Sequence, residues 1–82
     1  MKVYKFHYTV ETEYDYEIVK TVILKSYVKV LLRLCDAMKG EDELGYSVGV
    51  YDWEYVRSLI SIGKIEEANQ FIYGAWVEVV EV

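Results

Sequence analysis

The sequence predicts an α+β fold: one small domain over residues 1–82, with the element order β-β-α-β-α-β. About four strands, mostly antiparallel or mixed, are expected to pack against two to three helices. Two patterns predict this. Residues 3–24 alternate apolar and polar side chains with a period of two, as in strands with one buried face. Residues 26–39 place apolar side chains three and four apart, as in a helix.

The alternating segment predicts a hairpin with strands over 3–10 and 16–23 and a turn near Thr12–Tyr14. If the even positions of both strands face the core, the loop must hold an odd number of residues, because side chains alternate with a period of two. Lys20 is an exception on that face, and it indicates a bulge or a charged end that reaches solvent. The even positions of the segment, which form its predominantly apolar side, are Tyr4, Phe6, Tyr8, Val10, Thr12, Tyr14, Tyr16 and Ile18.

A helix is predicted from Ser26 to Lys39, with Ser26 as its N-cap and Gly40 at its end. Its apolar residues cover most of the circumference, so we expect it to be the central helix, packed against the sheet and another element. Its polar side is a narrow ribbon of Lys25, Lys29, Arg33 and Asp36.

The second half predicts a strand over Tyr46–Tyr51, where Gly49 suggests close approach by another element. Asp52 is a good N-cap for a helix over Trp53–Ile62, with Ile62 on its apolar side. Gly63 ends that helix, and a second helical segment is expected to run through Ile72.

The last strand is predicted over Trp76–Val82. Its glutamates, Glu78 and Glu81, have opposite parity, so neither face of the strand is purely apolar or purely polar. This pattern suits a strand covered on both sides, a bulged strand, or an edge strand that pairs with a second molecule.

Composition limits the partners. The net charge of −5 argues against direct binding to nucleic acid and to anionic membranes, both of which attract cations. No apolar run approaches the roughly 20 residues of a transmembrane helix, and no export signal is visible. The hydrophobic share of 54% is high for so small a domain, and nine tyrosines accompany it. We therefore expect some apolar surface to contact a protein partner or a second copy.

The residues that usually carry chemistry are sparse. The single His7 and the single Cys35 fall in different elements, without the spacing of a metal site or a nucleophile–base pair. No disulfide can form within the chain, which suits a reducing cytoplasm, and Cys35 is expected to be a core residue. The sequence predicts no catalytic residue, no metal and no cofactor. A weaker alternative is a small enzyme or ligand binder that uses His7 with Arg33 or Arg57.

The sharpest feature is a row of four carboxylates at every second position, which we call the acidic row: Glu11, Glu13, Asp15 and Glu17. Carboxylates at every second position of an extended strand would be ~6.6–6.8 Å apart, about twice the ~3.4 Å charge spacing of one nucleic-acid strand. Such a row could occupy a basic groove, although the predicted turn lies inside it; the alternative is a charged tip that deters edge-to-edge aggregation. The predicted partner-binding residues are Glu11, Glu13, Tyr14, Asp15, Tyr16 and Glu17, with a secondary acidic loop at Glu41, Asp42 and Glu43.

These features predict a non-catalytic protein-interaction module. Its size, acidity and tyrosine content are similar in general character to small inhibitors from phages and mobile elements. The target in that case is a cytoplasmic protein that binds nucleic acid. The alternative is a structural or regulatory homodimer that associates through the last strand or an exposed helix face.

Overall fold

The computed structural model describes residues 1–11, 14, 17–39 and 48–82. The predicted α+β class is confirmed, and all described strand pairs are antiparallel. The elements are β1 (Lys2–Glu11), β2 (Glu17–Leu24), α1 (Tyr27–Lys39), β3 (Gly49–Val50), α2 (Trp53–Ser61), α3 (Ile65–Asn69), β4 (Ile72–Tyr73) and β5 (Ala75–Glu81).

The described strands form two sheets instead of one sheet of about four strands. The larger sheet has the order β2-β1-β5, so β1 is its central strand, and β3 pairs with β4 in a separate two-stranded sheet. The reason is that the chain leaves α3 early: residues 72 and 73 are extended and pair with 49 and 50. The second helical segment therefore ends at Asn69, and its predicted extension through Ile72 is wrong.

The core lies on the even-numbered face of β1, which we call the inner face. Phe6 is 0% exposed and Tyr8 is 2% exposed, next to Ala75 and Val77 of β5. Only the middle of the hairpin's predicted buried face is fully covered, since Ile18 remains 48% exposed. The helices complete this core with Val30, Leu34, Ala37, Val56, Leu59, Ile60, Ile65 and Ala68.

The hairpin register confirms the parity argument. Glu11 lies opposite Glu17, so residues 12–16, an odd number, separate the paired ends of the strands. Pairing continues without interruption past Lys20, which lies opposite Tyr8. The bulge considered for Lys20 is therefore absent, and this residue is exposed on the edge strand.

Helix α1 packs through one face only. Val30, Leu34 and Ala37 are buried, whereas Val28 and Leu32 are 49% and 59% exposed. The helix contacts the larger sheet and also α2 and β3, as expected for packing against the sheet and another element, but its outer side is uncovered. The Ser26 hydroxyl accepts a hydrogen bond from the Lys29 N–H (3.3 Å), as predicted for an N-cap. Gly40 lies outside the described residues.

Helix α2 begins and ends at the predicted signals. The Asp52 carboxylate accepts a hydrogen bond from the Tyr55 N–H (3.2 Å). Gly63 has φ +84°, and its N–H donates to the carbonyl of Ile60 (3.1 Å), while the next N–H donates to the carbonyl of Leu59 (2.8 Å). This is the Schellman arrangement, which favours glycine. Ile62, predicted on the apolar side, is 68% exposed just after the helix.

Strand β5 is an edge strand of the larger sheet. Its residues alternate without a bulge, so Ala75 and Val77 face the core while Trp76 and Glu78 lie on the opposite, outer face. The strand is neither bulged nor covered on both faces, and it lies at an edge of the sheet; its pairing with a second molecule stays a prediction. No helix in the described part of the chain is long and apolar enough to span a membrane.

Candidate interaction surface

The hairpin turn interrupts the predicted acidic row. Glu11 ends β1 and Glu17 begins β2, and the two lie directly opposite each other. Opposed residues in an antiparallel pair have Cα atoms about 4.5–5.5 Å apart, so the row is folded back and does not form one straight array. Tyr14 is 76% exposed. The remaining predicted partner-binding residues, Glu13, Asp15, Tyr16, Glu41, Asp42 and Glu43, lie outside the described residues.

Four aromatic side chains lie together at the small sheet; we call Tyr51, Tyr55, Phe71 and Tyr73 the aromatic patch. The rings of Tyr51 and Tyr73 are 5.2 Å apart at 54°, and those of Tyr55 and Phe71 are 5.2 Å apart at 89°. Tyr51, Tyr55 and Tyr73 are 77%, 46% and 51% exposed, while Phe71 is partly buried. The patch therefore presents ordered rings to solvent.

The backbone fixes the patch. Gly49 pairs with Tyr73, and the Tyr51 N–H continues the ladder by donating to the Phe71 carbonyl (2.9 Å). Because side chains alternate along a strand, positions 51, 71 and 73 share one face of this sheet, while Ile72 on the other face is buried. Tyr55 lies in the first turn of α2. Its backbone N–H donates to the carboxylate of the N-cap residue Asp52.

Gly49 allows the Tyr73 ring to lie close to the backbone. A Cβ atom built at position 49 would overlap the ring of Tyr73, including its Cζ and hydroxyl oxygen. The close approach predicted at this glycine is confirmed, and the approaching element is the Tyr73 side chain.

The Gly49→Ala substitution is expected to displace the Tyr73 ring and to lower the free energy of unfolding by about 1–2 kcal/mol, because the new methyl group occupies the space of the ring. Urea denaturation of the wild type, both single variants and the double variant Gly49→Ala/Tyr73→Ala would measure the coupling. Alanine at position 49 should cost little once Tyr73 is truncated. An equal cost in both backgrounds would contradict the assigned contact.

The charges beside the patch are mixed. Asp52 and Glu54 lie between Tyr51 and Tyr55 in sequence and are exposed. Arg57 approaches Glu54 at 3.8 Å, an exposed contact of small energetic value. Asp52 also serves as the cap of α2. The charge that the patch presents is therefore weak and local, and its aromatic rings dominate its surface.

His7 lies on the outer face of the larger sheet, as predicted, but its side chain is only 16% exposed. Its Nδ1 is 2.8 Å from the Thr21 hydroxyl and its Nε2 is 3.4 Å from the Glu78 carboxylate. Its ring stacks on Trp76 with centroids 5.0 Å apart. His7 thus connects side chains from all three strands of this sheet.

The order hydroxyl, imidazole, carboxylate is also that of a nucleophilic triad. Thr21 lies on the outer face of the edge strand β2, between the exposed side chains of Val19 and Ile23. Arg33, considered as a partner of His7, lies 5.8 Å from the Tyr8 ring on the other face of the sheet. The contacts of His7 therefore favour a structural role.

A groove of about 950 Å³ passes His7, Trp76 and Glu78 on one side and the segment 63–67 on the other. Its charged lining consists of Lys64, Glu66, Glu67 and Glu78. Carboxylates outnumber the lysine, so the groove would favour a cationic group over an anionic one.

The aromatic patch was not predicted from the sequence. Its members come from two segments about 20 residues apart, and Phe71 was assigned to a helix. The available signal was two groups of aromatic residues, one at 51, 53 and 55 across the start of α2 and one at 71, 73 and 76 after α3.

No known family provides a comparison for the aromatic patch. The chain was compared with models of protein families, with curated protein sequences and with solved structures, and no match was found.

Proposed function

We propose that this chain is a non-catalytic protein-interaction module that binds a protein partner through the aromatic patch. One observation carries the proposal: three tyrosine rings are 46–77% exposed, yet each is held in a ring pair on a backbone-fixed element.

Exposed, ordered tyrosines suit binding for an energetic reason. Tyr and Trp are enriched among the residues that dominate interface energies, and a ring with few rotatable bonds loses little conformational entropy when it is covered. Tyr51 and Tyr73 already constrain each other through their contact. A partner that covers them would bury apolar rings while their hydroxyl groups form hydrogen bonds.

The charge of the chain favours a basic partner surface. At a net charge of −5, association with a positively charged groove would be accelerated by long-range attraction. A basic groove that normally holds nucleic acid meets this description, so the narrower form of the proposal is an inhibitor of a nucleic-acid-binding protein, as in phages and mobile elements. The free thiol of Cys35 supports a reducing, cytoplasmic location.

The Tyr51→Ala/Tyr55→Ala variant is expected to weaken partner capture about 30-fold or more, because each truncated aromatic anchor costs about 1–2 kcal/mol and the variant removes two of them. The measurement is a tagged pull-down from lysate of the source cells with quantitative mass spectrometry, followed by titration of the captured protein. The matched control is Tyr14→Ala, since Tyr14 is 76% exposed and Tyr51 is 77% exposed.

The control also separates the two surfaces. Loss of binding in the patch variant alone supports the aromatic patch. Loss in Tyr14→Ala, and after reversal of Glu11, Glu13, Asp15 and Glu17 to lysine, with the patch variant unaffected, would contradict the patch and support the acidic row. Circular dichroism of each variant would establish that the fold is retained.

A further inference from the structure

We infer that the outer edge of β2 binds a second copy of this chain, with the two β2 strands antiparallel and Thr21 on the two-fold axis. The proposal concerns residues outside the aromatic patch and does not depend on the function proposed above. It rests on the direction of the backbone groups, on what covers each edge of the larger sheet, and on charge complementarity in one register.

The ladder pattern shows which backbone groups of β2 point away from the sheet. The Thr9 N–H donates to the Gly74 carbonyl (3.3 Å), and the Val82 N–H donates to the Met1 carbonyl (2.8 Å), so odd residues of β1 bond to β5. Antiparallel pairs alternate between bonded and non-bonded positions. Even residues of β1 therefore bond to β2, and the odd residues of β2 direct their N–H and C=O groups outward.

The opposite edge of this sheet is already occupied at its centre. The Asn69 side chain donates to the Val77 carbonyl (2.8 Å) and accepts from the Val77 N–H (2.9 Å). One amide thus takes the place of a neighbouring strand on β5. No backbone or side-chain group among the described residues bonds to the outward groups of Val19, Thr21 or Ile23.

Strand β2 also exposes apolar side chains. Ile18, Val19 and Ile23 are 48%, 55% and 53% exposed on a strand of eight residues. A long, apolar, uncovered edge is a template for pairing with another chain. The side chains at 19 and 23 share the outer face, so pairing there would bury them against each other.

Charge selects the register. With Thr21 on the axis, Val19 lies opposite Ile23 of the second copy, and position 17, a glutamate, lies opposite position 25, a lysine. An axis at Lys20 would place two lysines directly opposite each other, which is destabilising. An axis at Val22 would place Val19 opposite Lys25. Of these three registers, only the first places Val19 opposite Ile23 and opposite charges at both ends; its mismatch is Lys20 opposite Val22 on the inner face.

The result would be a continuous six-stranded sheet across two copies with an isologous interface. Backbone pairing along one strand covers less area than a standard interface, so we expect an affinity of about 10–100 µM. Sedimentation velocity between about 10 and 500 µM should show conversion from monomer to dimer.

Cysteine crosslinking tests the register in a Cys35→Ala background. Thr21→Cys would place two thiols on paired positions with Cα atoms about 5.5 Å apart, within the range for a disulfide. In the matched controls Val19→Cys and Ile23→Cys, each thiol lies about 14 Å along the strand from its own copy. With oxidised glutathione, the Thr21→Cys variant should form covalent dimer at least about tenfold faster than either control.

Val19→Pro provides a second variant. It removes only an outward N–H, so edge proline should leave the monomer folded while weakening the dimer about tenfold or more. Monomer up to the highest concentration, equal crosslinking rates at the three positions, or a dimer unaffected by Val19→Pro would each overturn the proposal. A monomer that captures an unrelated peptide at this edge would also overturn it.

Discussion

The Phe6→Ala variant is expected to lose about 3–5 kcal/mol of the free energy of unfolding. Phe6 is 0% exposed, and it lies on the central strand with Val22 and Val77 opposite it on either side. Its ring centroid is 6.2 Å from that of Tyr8. Truncation would leave a cavity in the core, and the three strands and the helices around it cannot move enough to fill it. A domain of this size has about 4–12 kcal/mol in total, so this variant should be largely unfolded at 37 °C.

Urea denaturation followed by far-ultraviolet circular dichroism would measure the loss. Phe6→Leu keeps most of the buried apolar volume and should cost about 1.5 kcal/mol or less. Tyr14→Ala removes an exposed aromatic side chain and should change stability by less than about 0.5 kcal/mol. A loss below about 1 kcal/mol for Phe6→Ala would show that the core is not centred on this face of β1.

The first hairpin could be predicted because its signals are local. A period of two over Val3 to Leu24 defines both strands, and parity alone fixes the odd loop between them. The same holds for the caps at Ser26, Asp52 and Gly63, where one side chain or one glycine acts on its own helix end. Local chemistry therefore accounts for most element boundaries.

The arrangement of the strands could not be predicted in this way. β1 pairs with β5 although about 70 residues separate Phe6 from Val77, and no spacing within either strand encodes that choice. The exposure of Leu32 has a similar cause: its helix has apolar residues on most sides, and only the neighbours that are present decide which face is covered.

The aromatic patch forms because residues 72 and 73 are extended instead of continuing helix α3, and the sequence pattern does not decide between these two conformations. Ala68, Phe71 and Ile72 have helical spacing, which predicted a longer α3. In the structure, Asn69 bonds to β5, and the carbonyl of Phe71 accepts from Tyr51. These two contacts accompany the end of α3 at Asn69 and the extended conformation of residues 72 and 73, and the pairing of β4 with β3 brings Phe71 and Tyr73 next to Tyr51.

The Asn69→Ala variant is therefore expected to lower the free energy of unfolding by about 2–3 kcal/mol, which is more than the partly buried position of Asn69 suggests. Both hydrogen bonds to Val77 would be lost, which leaves a donor and an acceptor without protein partners at a part-buried edge. Opening this edge should also promote association through β5, visible as concentration-dependent sedimentation. The neighbouring Gln70→Ala, at an exposed position, should stay within about 0.5 kcal/mol of the wild type.

Asn69→Asp tests the role of each amide atom. The introduced carboxylate can still accept from the Val77 N–H, but its second oxygen would face the Val77 carbonyl, two acceptors in contact. Protonation restores a donor, so folding should raise the pKa of the introduced carboxyl above its unfolded value of about 3.9. Relative to wild type, the variant should then be least destabilised below about pH 4 and progressively more destabilised as the pH rises through the folded pKa. A destabilisation that does not change with pH would show that the Asn69 amide does not bond to the Val77 carbonyl, and that another contact holds α3 against β5.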